Sequence, residues 1–262
     1  MINFNILGAG GALPTATHSP AAYWVGVGRH ELLLDPGPGA LVRLMKSGLA
    51  SRGVDGIDLV LLSHLHPDHS LDLVALLFAA HSPICTSEKP LRLFGPVGLI
   101  TLLEKLKDIY GRWLEPRNRI LDVTEWDDGQ VLKLPCGSSI EAFRVNHPQD
   151  RLSDSALGYR FKDPEGNIAV FSGDTGPCPE LNKASRRADL LVVECSVPDH
   201  LETEGHLCPA SVGALCADSQ PRHVVLTHQY PAAAAMDLAA EVGQYFSGKI
   251  SQARDGDSFR VG

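Results

Sequence analysis

Residues 59–70, LVLLSHLHPDHS, decide how this chain is read. Four apolar residues run into His64, His66, Asp68 and His69, all within six positions. A buried strand gains nothing from so many ionisable groups, and a solvated loop has no need of their spacing. In a loop leaving a strand, positions i and i+2 point the same way, so His64 and His66 can chelate one ion. Pro67 stiffens the turn, and Asp68 with His69 can then face a second ion. Imidazole and carboxylate together suit zinc first, with manganese and iron as alternatives.

Working outward, three more apolar runs end in the same residue types: SIEAFRVNH at His147, IAVFSGD at Asp174 and HVVLTH at His228. Apolar patterning extends these strands over 57–64, 140–147, 168–174 and 223–228. Strand ends are rigid mounts from which a side chain still reaches solvent. Asp174 can bridge two ions with its two oxygens, and His147 and His228 can complete one ion each. Two ions ~3.5–4 Å apart can hold a hydroxide and polarise a substrate oxygen.

The rest of the chain is an ordinary globular sequence of 262 residues, 44% hydrophobic and 21% charged. It is read as one domain, 1–262, with no linker or low-complexity segment. Short strands lie at INFNIL, AAYWVGV and HELLLD, followed by a helix at GALVRLMKSGL. Further helices are predicted at SLDLVALLFAAH, GLITLLEKLKDIYGRWL, PASVGALCADS and Ala232–Phe246, and a hairpin at ALGYRFKDPEGNIAVF. Sheets in both halves, with helices to cover them, predict a four-layer αββα sandwich.

Charge and cysteines narrow the function. The formal net charge is −8 with a sequence pI near 5.7, which disfavours a grip on long nucleic acid and favours small substrates. No apolar run is long enough to span a bilayer, and no basic segment precedes the first strand, so a cytoplasmic, non-membrane protein is expected. Cys85, Cys136, Cys178, Cys195, Cys208 and Cys216 form no C-x-x-C pair, which predicts that most are reduced core residues rather than parts of disulfides or a zinc ribbon.

SHLHPDH, the NH at His147, SGDTG and LTH, in that order, resemble the metallo-β-lactamase superfamily. The resemblance runs from LGAGGALPT through LLLDPGPG to LTHQYP and implies an αββα hydrolase with a dinuclear metal site. It implies that one ion takes His64, His66 and His147, that the other takes Asp68, His69 and His228, and that Asp174 bridges them. It also implies that Asp35 supports the ligand histidines from behind. Such proteins commonly form homodimers, and a homodimer is expected here on that ground alone.

True metallo-β-lactamases carry cysteine at the position of Asp174, and Cys178 lies outside the turn, so antibiotic hydrolysis is not expected. VVECSVPDHLETEGHLCPA resembles the stretch of ribonuclease Z and its phosphodiesterase relatives in which a glutamate pairs with a histidine, here Glu194 and His206. A carboxylate holding an imidazole charged makes a general acid for a leaving alkoxide. Asp68 is the candidate to orient or deprotonate the attacking water. Ribonuclease Z inserts a long tRNA-gripping arm between the third-motif histidine and the bridging aspartate; here only residues 148–173 lie there. The expectation is an armless, ribonuclease-Z-like phosphodiesterase acting on a small or short phosphodiester. Two other readings stand beside it: a thioesterase or lactonase of the same fold, and a metal-binding regulator without catalysis. His18, His200 and Tyr230 are candidates for substrate contact, each equally readable as an ordinary loop residue.

Overall fold

The computed structural model describes residues 1–135, 137–148, 153 and 155–262, so Cys136 lies outside the described residues. The first half forms β1 (Ile2–Gly8), β2 (Ala22–Val27), β3 (His30–Leu34), α1 (Ala40–Ser47), β4 (Leu59–Leu61), α2 (Pro67–Ser70), α3 (Asp72–Ala80), β5 (Leu91–Pro96), α4 (Leu99–Tyr110) and β6 (Leu121–Trp126). The second forms β7 (Val131–Lys133), β8 (Ser139–Val145), β9 (Ala156–Lys162), β10 (Ile168–Phe171), α5 (Pro179–Ser185), β11 (Leu190–Glu194), α6 (Pro209–Ser219), β12 (His223–Thr227), α7 (Pro231–Ala234), α8 (Leu238–Gly243), β13 (Lys249–Gln252) and β14 (Ser258–Val261).

Two seven-stranded sheets result, in the orders β14-β1-β2-β3-β4-β5-β6 and β13-β12-β11-β10-β9-β8-β7. Each begins antiparallel and turns parallel: from the β3–β4 pair in one sheet and from the β10–β11 pair in the other. Helices carry the parallel crossovers, which leaves both faces of those strands covered. That is why β4 and the Val224–Leu226 stretch of β12 read as unbroken apolar runs. Leu59 and Leu61 face the layer between the sheets with Phe4, Tyr23, Tyr159 and Phe171. Val60 and Leu62 face outward, onto Leu73 and Leu77 of α3. On the far side, Leu191, Val193 and Leu226 pack against Val212 and Cys216 of α6. This is the αββα sandwich that the sequence predicts. Among the described residues no helix is long and apolar enough to cross a membrane.

The structure corrects several boundaries. The four strands aimed at His64, His147, Asp174 and His228 stop at Leu61, Val145, Phe171 and Thr227. Left-handed backbone at Gly173 (φ 61°) and His228 (φ 53°) turns the chain out of the sheet just where the ionisable residues begin. The helix expected over 232–246 is two short ones: the first ends at Ala234, and Asp237 caps the second by accepting from the Ala240 amide. The helix expected from Ser70 starts at Asp72, after the separate turn α2. Strands β6 and β13 and helix α5 have no counterpart in the sequence reading. Each is short or half-exposed, with weak periodicity.

Candidate metal centre

The parallel strands of both sheets deliver their following loops to one edge, the position where open α/β sheets bind ligands. His64, His66 and His147 offer ligand atoms within 4.8 Å of one another, as do Asp68, His69, Asp174 and His228. Asp174 Oδ2 lies between the two sets, 3.8 Å from His64 Nε2, 3.4 Å from His69 Nε2 and 3.1 Å from His228 Nε2. Asp68 Oδ2 is 3.6 Å from His69 Nε2 and 3.5 Å from His228 Nε2. His66 Nδ1 and His147 Nε2 sit 3.1 Å apart.

These residues fit a metal better than they fit one another. Nε2 of His64, His69 and His228 are buried and make no hydrogen bond among the described residues. Orphaned buried nitrogens are costly, and three of them converging on a carboxylate leave a cation as the economical partner. Burial, with the neighbouring imidazoles, holds His64 well below the ordinary histidine range, so it stays neutral and able to ligate. Burial works against charge on Asp174 as well, but His228 and His69 outweigh it and hold this carboxylate well below its usual range.

The far nitrogens are anchored. Asp35, fully buried, accepts from the Ser63 amide and hydroxyl, both at 2.6 Å, and lies 2.9 Å from His69 Nδ1. Ser63 Oγ is also 2.9 Å from His64 Nδ1. His147 Nδ1 donates to Gly205 O at 2.8 Å. The DPGPG motif explains itself here. A Cβ on Gly37 would stand 1.9 Å from Asp68 O, so only glycine lets the Asp35 loop press against the ligand turn. Asp72 fastens the other side by accepting from the Gly39 and Leu41 amides, both at 2.9 Å.

Glu194, fully buried at the end of β11, accepts from the Thr175 and Leu207 amides and from the Ser196 hydroxyl. His206 Nδ1 lies 3.2 Å from both of its oxygens. Burial pulls the imidazole pKa down, but the Glu194 hydrogen bond and charge prevail and raise it to about 9. The His206 ring stands 5.1 Å from that of His147 and is stacked 5.8 Å from that of His228.

Tyr230 also reaches the centre, its ring 5.8 Å from those of His206 and His228. His18 is buried in the 9–20 loop with Nδ1 3.0 Å from Thr17 Oγ1 and Nε2 unpartnered. His200 is exposed on the 3-10 turn Asp199–Leu201 and stands outside the clusters. Sequence reasoning missed Ser63, Ser196 and Gly11; a Cβ on Gly11 would lie 2.9 Å from His228 Cε1. The only signal for the two serines was adjacency, one residue before His64 and two after Glu194.

Comparison with known proteins gives the family and the fold. Residues 30–229 match the family model described as a beta-lactamase superfamily domain. An uncharacterized protein of Mycobacterium leprae is 31% identical over 268 residues, covering 99% of this chain and 89% of the relative. A ribonuclease Z of Methanosarcina acetivorans is 27% identical over 275 residues, covering 87% of each. Among solved structures, the metallo-beta-lactamase fold protein YhfI of Bacillus subtilis superposes with a TM-score of 0.83 at 22% identity, over 99% of this chain and 100% of that one. The chain belongs to the beta-lactamase superfamily, and it is built as one of that superfamily's metal-dependent hydrolases.

Proposed function

We propose that this protein is a dinuclear-metal-dependent phosphodiesterase whose substrates are small molecules or short phosphodiesters. The observation that carries the reading is the Glu194–His206 pair, held at 3.2 Å beside the ligand cluster. His64, His66 and His147 would hold one divalent ion and Asp68, His69 and His228 the other, with Asp174 shared. Two bound ions, zinc by default with manganese or iron as alternatives, would neutralise phosphoryl charge and lower the pKa of water towards neutrality.

The chain's own side chains supply the rest. Asp68, half-buried at the rim of the cluster, would have a second oxygen with which to orient the attacking water. His206 carries its proton at neutral pH and releases it to the departing oxygen. An alkoxide is a poor leaving group, so phosphodiester cleavage needs that proton, whereas thiolates depart without it. The acid therefore favours a phosphodiester over a thioester. The similarity to ribonuclease Z supports phosphodiester chemistry, and the net charge of −8 supports short substrates over long nucleic acid.

The test is turnover of bis(p-nitrophenyl) phosphate, a thioester and a lactone by the metal-loaded protein. Diester hydrolysis is expected, well above the other two. Absence of diester turnover in protein shown to carry metal contradicts the reading, and turnover of the thioester or lactone alone replaces it with the thioesterase or lactonase reading.

A further inference from the structure

The two buried carboxylates of the centre, Asp35 and Glu194, are built alike although they come from opposite sheets. Asp35 touches His69 Nδ1 directly at 2.9 Å and reaches His64 through Ser63. Glu194 touches His206 Nδ1 directly at 3.2 Å and reaches His228 through Ser196, whose Oγ is 2.9 Å from His228 Nδ1. Each carboxylate thus holds two imidazoles, one in contact and one through a serine hydroxyl.

Proton counting fixes the direction of these contacts. A hydroxyl has one hydrogen. Ser63 gives it to Asp35 and Ser196 gives it to Glu194, the carboxylate oxygens accepting. Each serine oxygen must therefore accept from its histidine, which places a proton on Nδ1 of His64 and of His228. A neutral imidazole protonated at Nδ1 has its lone pair on Nε2, and those are two of the orphaned buried nitrogens aimed at Asp174.

We propose that Ser63 and Ser196 are paired positioning residues, hydroxyl relays that lock the tautomers of His64 and His228 and so prepare one ligand in each of the two metal sets. This inference rests on the metal-centre reading. It assigns the relays to different ions: Ser63 serves the set of His64, His66 and His147, and Ser196 serves the set of Asp68, His69 and His228, with Asp174 shared. Ser196 also joins that second set to His206 through the shared Glu194.

The experiment uses the full chain as wild type, Ser63→Ala, Ser63→Thr, Ser196→Ala and Ser196→Thr, with two readouts. The first is NMR observation of the His64 and His228 Nδ1–H signals in chelator-stripped and zinc-loaded protein. The second is zinc affinity by competition with a chromophoric chelator. Wild type is expected to show exchange-protected Nδ1–H signals for both histidines, with or without zinc. Each alanine variant should lose its own histidine's signal and weaken one zinc site by about 10–100-fold, leaving the other site intact. Threonine, which keeps the hydroxyl, should restore both readouts. Alanine variants that keep the protected signals and wild-type zinc affinity overturn the proposal, as do threonine variants that behave like alanine. If wild type takes up no zinc, the metal-centre reading falls, while the signals in stripped protein still decide the relays.

Discussion

The Tyr159 hydroxyl donates to the Leu62 carbonyl at 2.6 Å, joining β9 of one sheet to the base of the His64 loop in the other. The converse contact exists too. The Tyr23 hydroxyl from β2 lies 3.0 Å from Thr227 Oγ1, immediately before His228. Both tyrosines are fully buried. The loops that carry His64 and His228 are thus each pinned from the opposite sheet, and these two cannot part from it without breaking a buried hydrogen bond.

Tyr159→Phe should therefore cost about 1–3 kcal/mol, since it strands a buried carbonyl, and Tyr23→Phe about 1 kcal/mol. Urea unfolding of chelator-stripped protein measures both without the contribution of bound metal. Unchanged midpoints would show that the two sheets are held at this edge by packing alone.

Gly37→Ala places a methyl group where Asp68 O now stands, and 2.5 Å from Ala21 O. Both neighbours are backbone and cannot swing away. A loss of about 2–3 kcal/mol or more is expected, with weaker metal retention because Asp68 and His69 move with the turn. Thermal melts and metal analysis of the dialysed variant check it; a wild-type melt with full metal content is the opposing result.

His206→Ala should slow diester hydrolysis by roughly 10²–10⁴-fold, and the loss should depend on the leaving group. A p-nitrophenolate departs with little help, whereas an alkyl alkoxide needs the proton. Rate ratios of wild type to variant, measured on a p-nitrophenyl and a methyl diester, should be larger for the methyl ester. Equal ratios would remove His206 from the role of acid.

Acid stability has a local source in the β9–β10 turn. Asp163 is buried, which by itself raises its pKa, but the Asn167 side chain, the terminal amine of Met1 and the Asn167 amide prevail and lower it to about 2. A carboxylate depressed in the folded state stabilises above its unfolded pKa of 3.8, and that stability disappears as the pH falls to about 2. Asp163→Asn should therefore cost about 1–2 kcal/mol at pH 6, a gap that narrows progressively below pH 4. Urea midpoints of both proteins at pH 6 and pH 3 test this; a gap that is the same at both values contradicts it.

Much of this was legible in the sequence, for physical reasons that differ by residue. LVLLSHLHPDHS was readable because a strand buried on both faces is unbroken hydrocarbon, so the ionisable residues that follow it stand out. Asp35 was singled out by the family resemblance of LLLDPGPG, and the structure explains Gly37 of that motif by the approach of Asp68 O. Ser63 and Ser196 were not, because a serine beside a histidine has no periodicity and matters only through the carboxylate that the fold brings to it. The exact strand ends were not readable either. The end of β12, for one, depends on positive φ at His228, and a non-glycine residue in that region leaves no mark in the sequence.

The most direct test of the central claim is a metal titration of chelator-stripped protein, with bis(p-nitrophenyl) phosphate hydrolysis followed as zinc or manganese is added. No turnover is expected in stripped protein, with activity that rises until about two equivalents per chain are bound and little recovery in Asp174→Asn at any metal concentration. Full turnover in protein shown to be free of metal, or an undiminished Asp174→Asn, would contradict it.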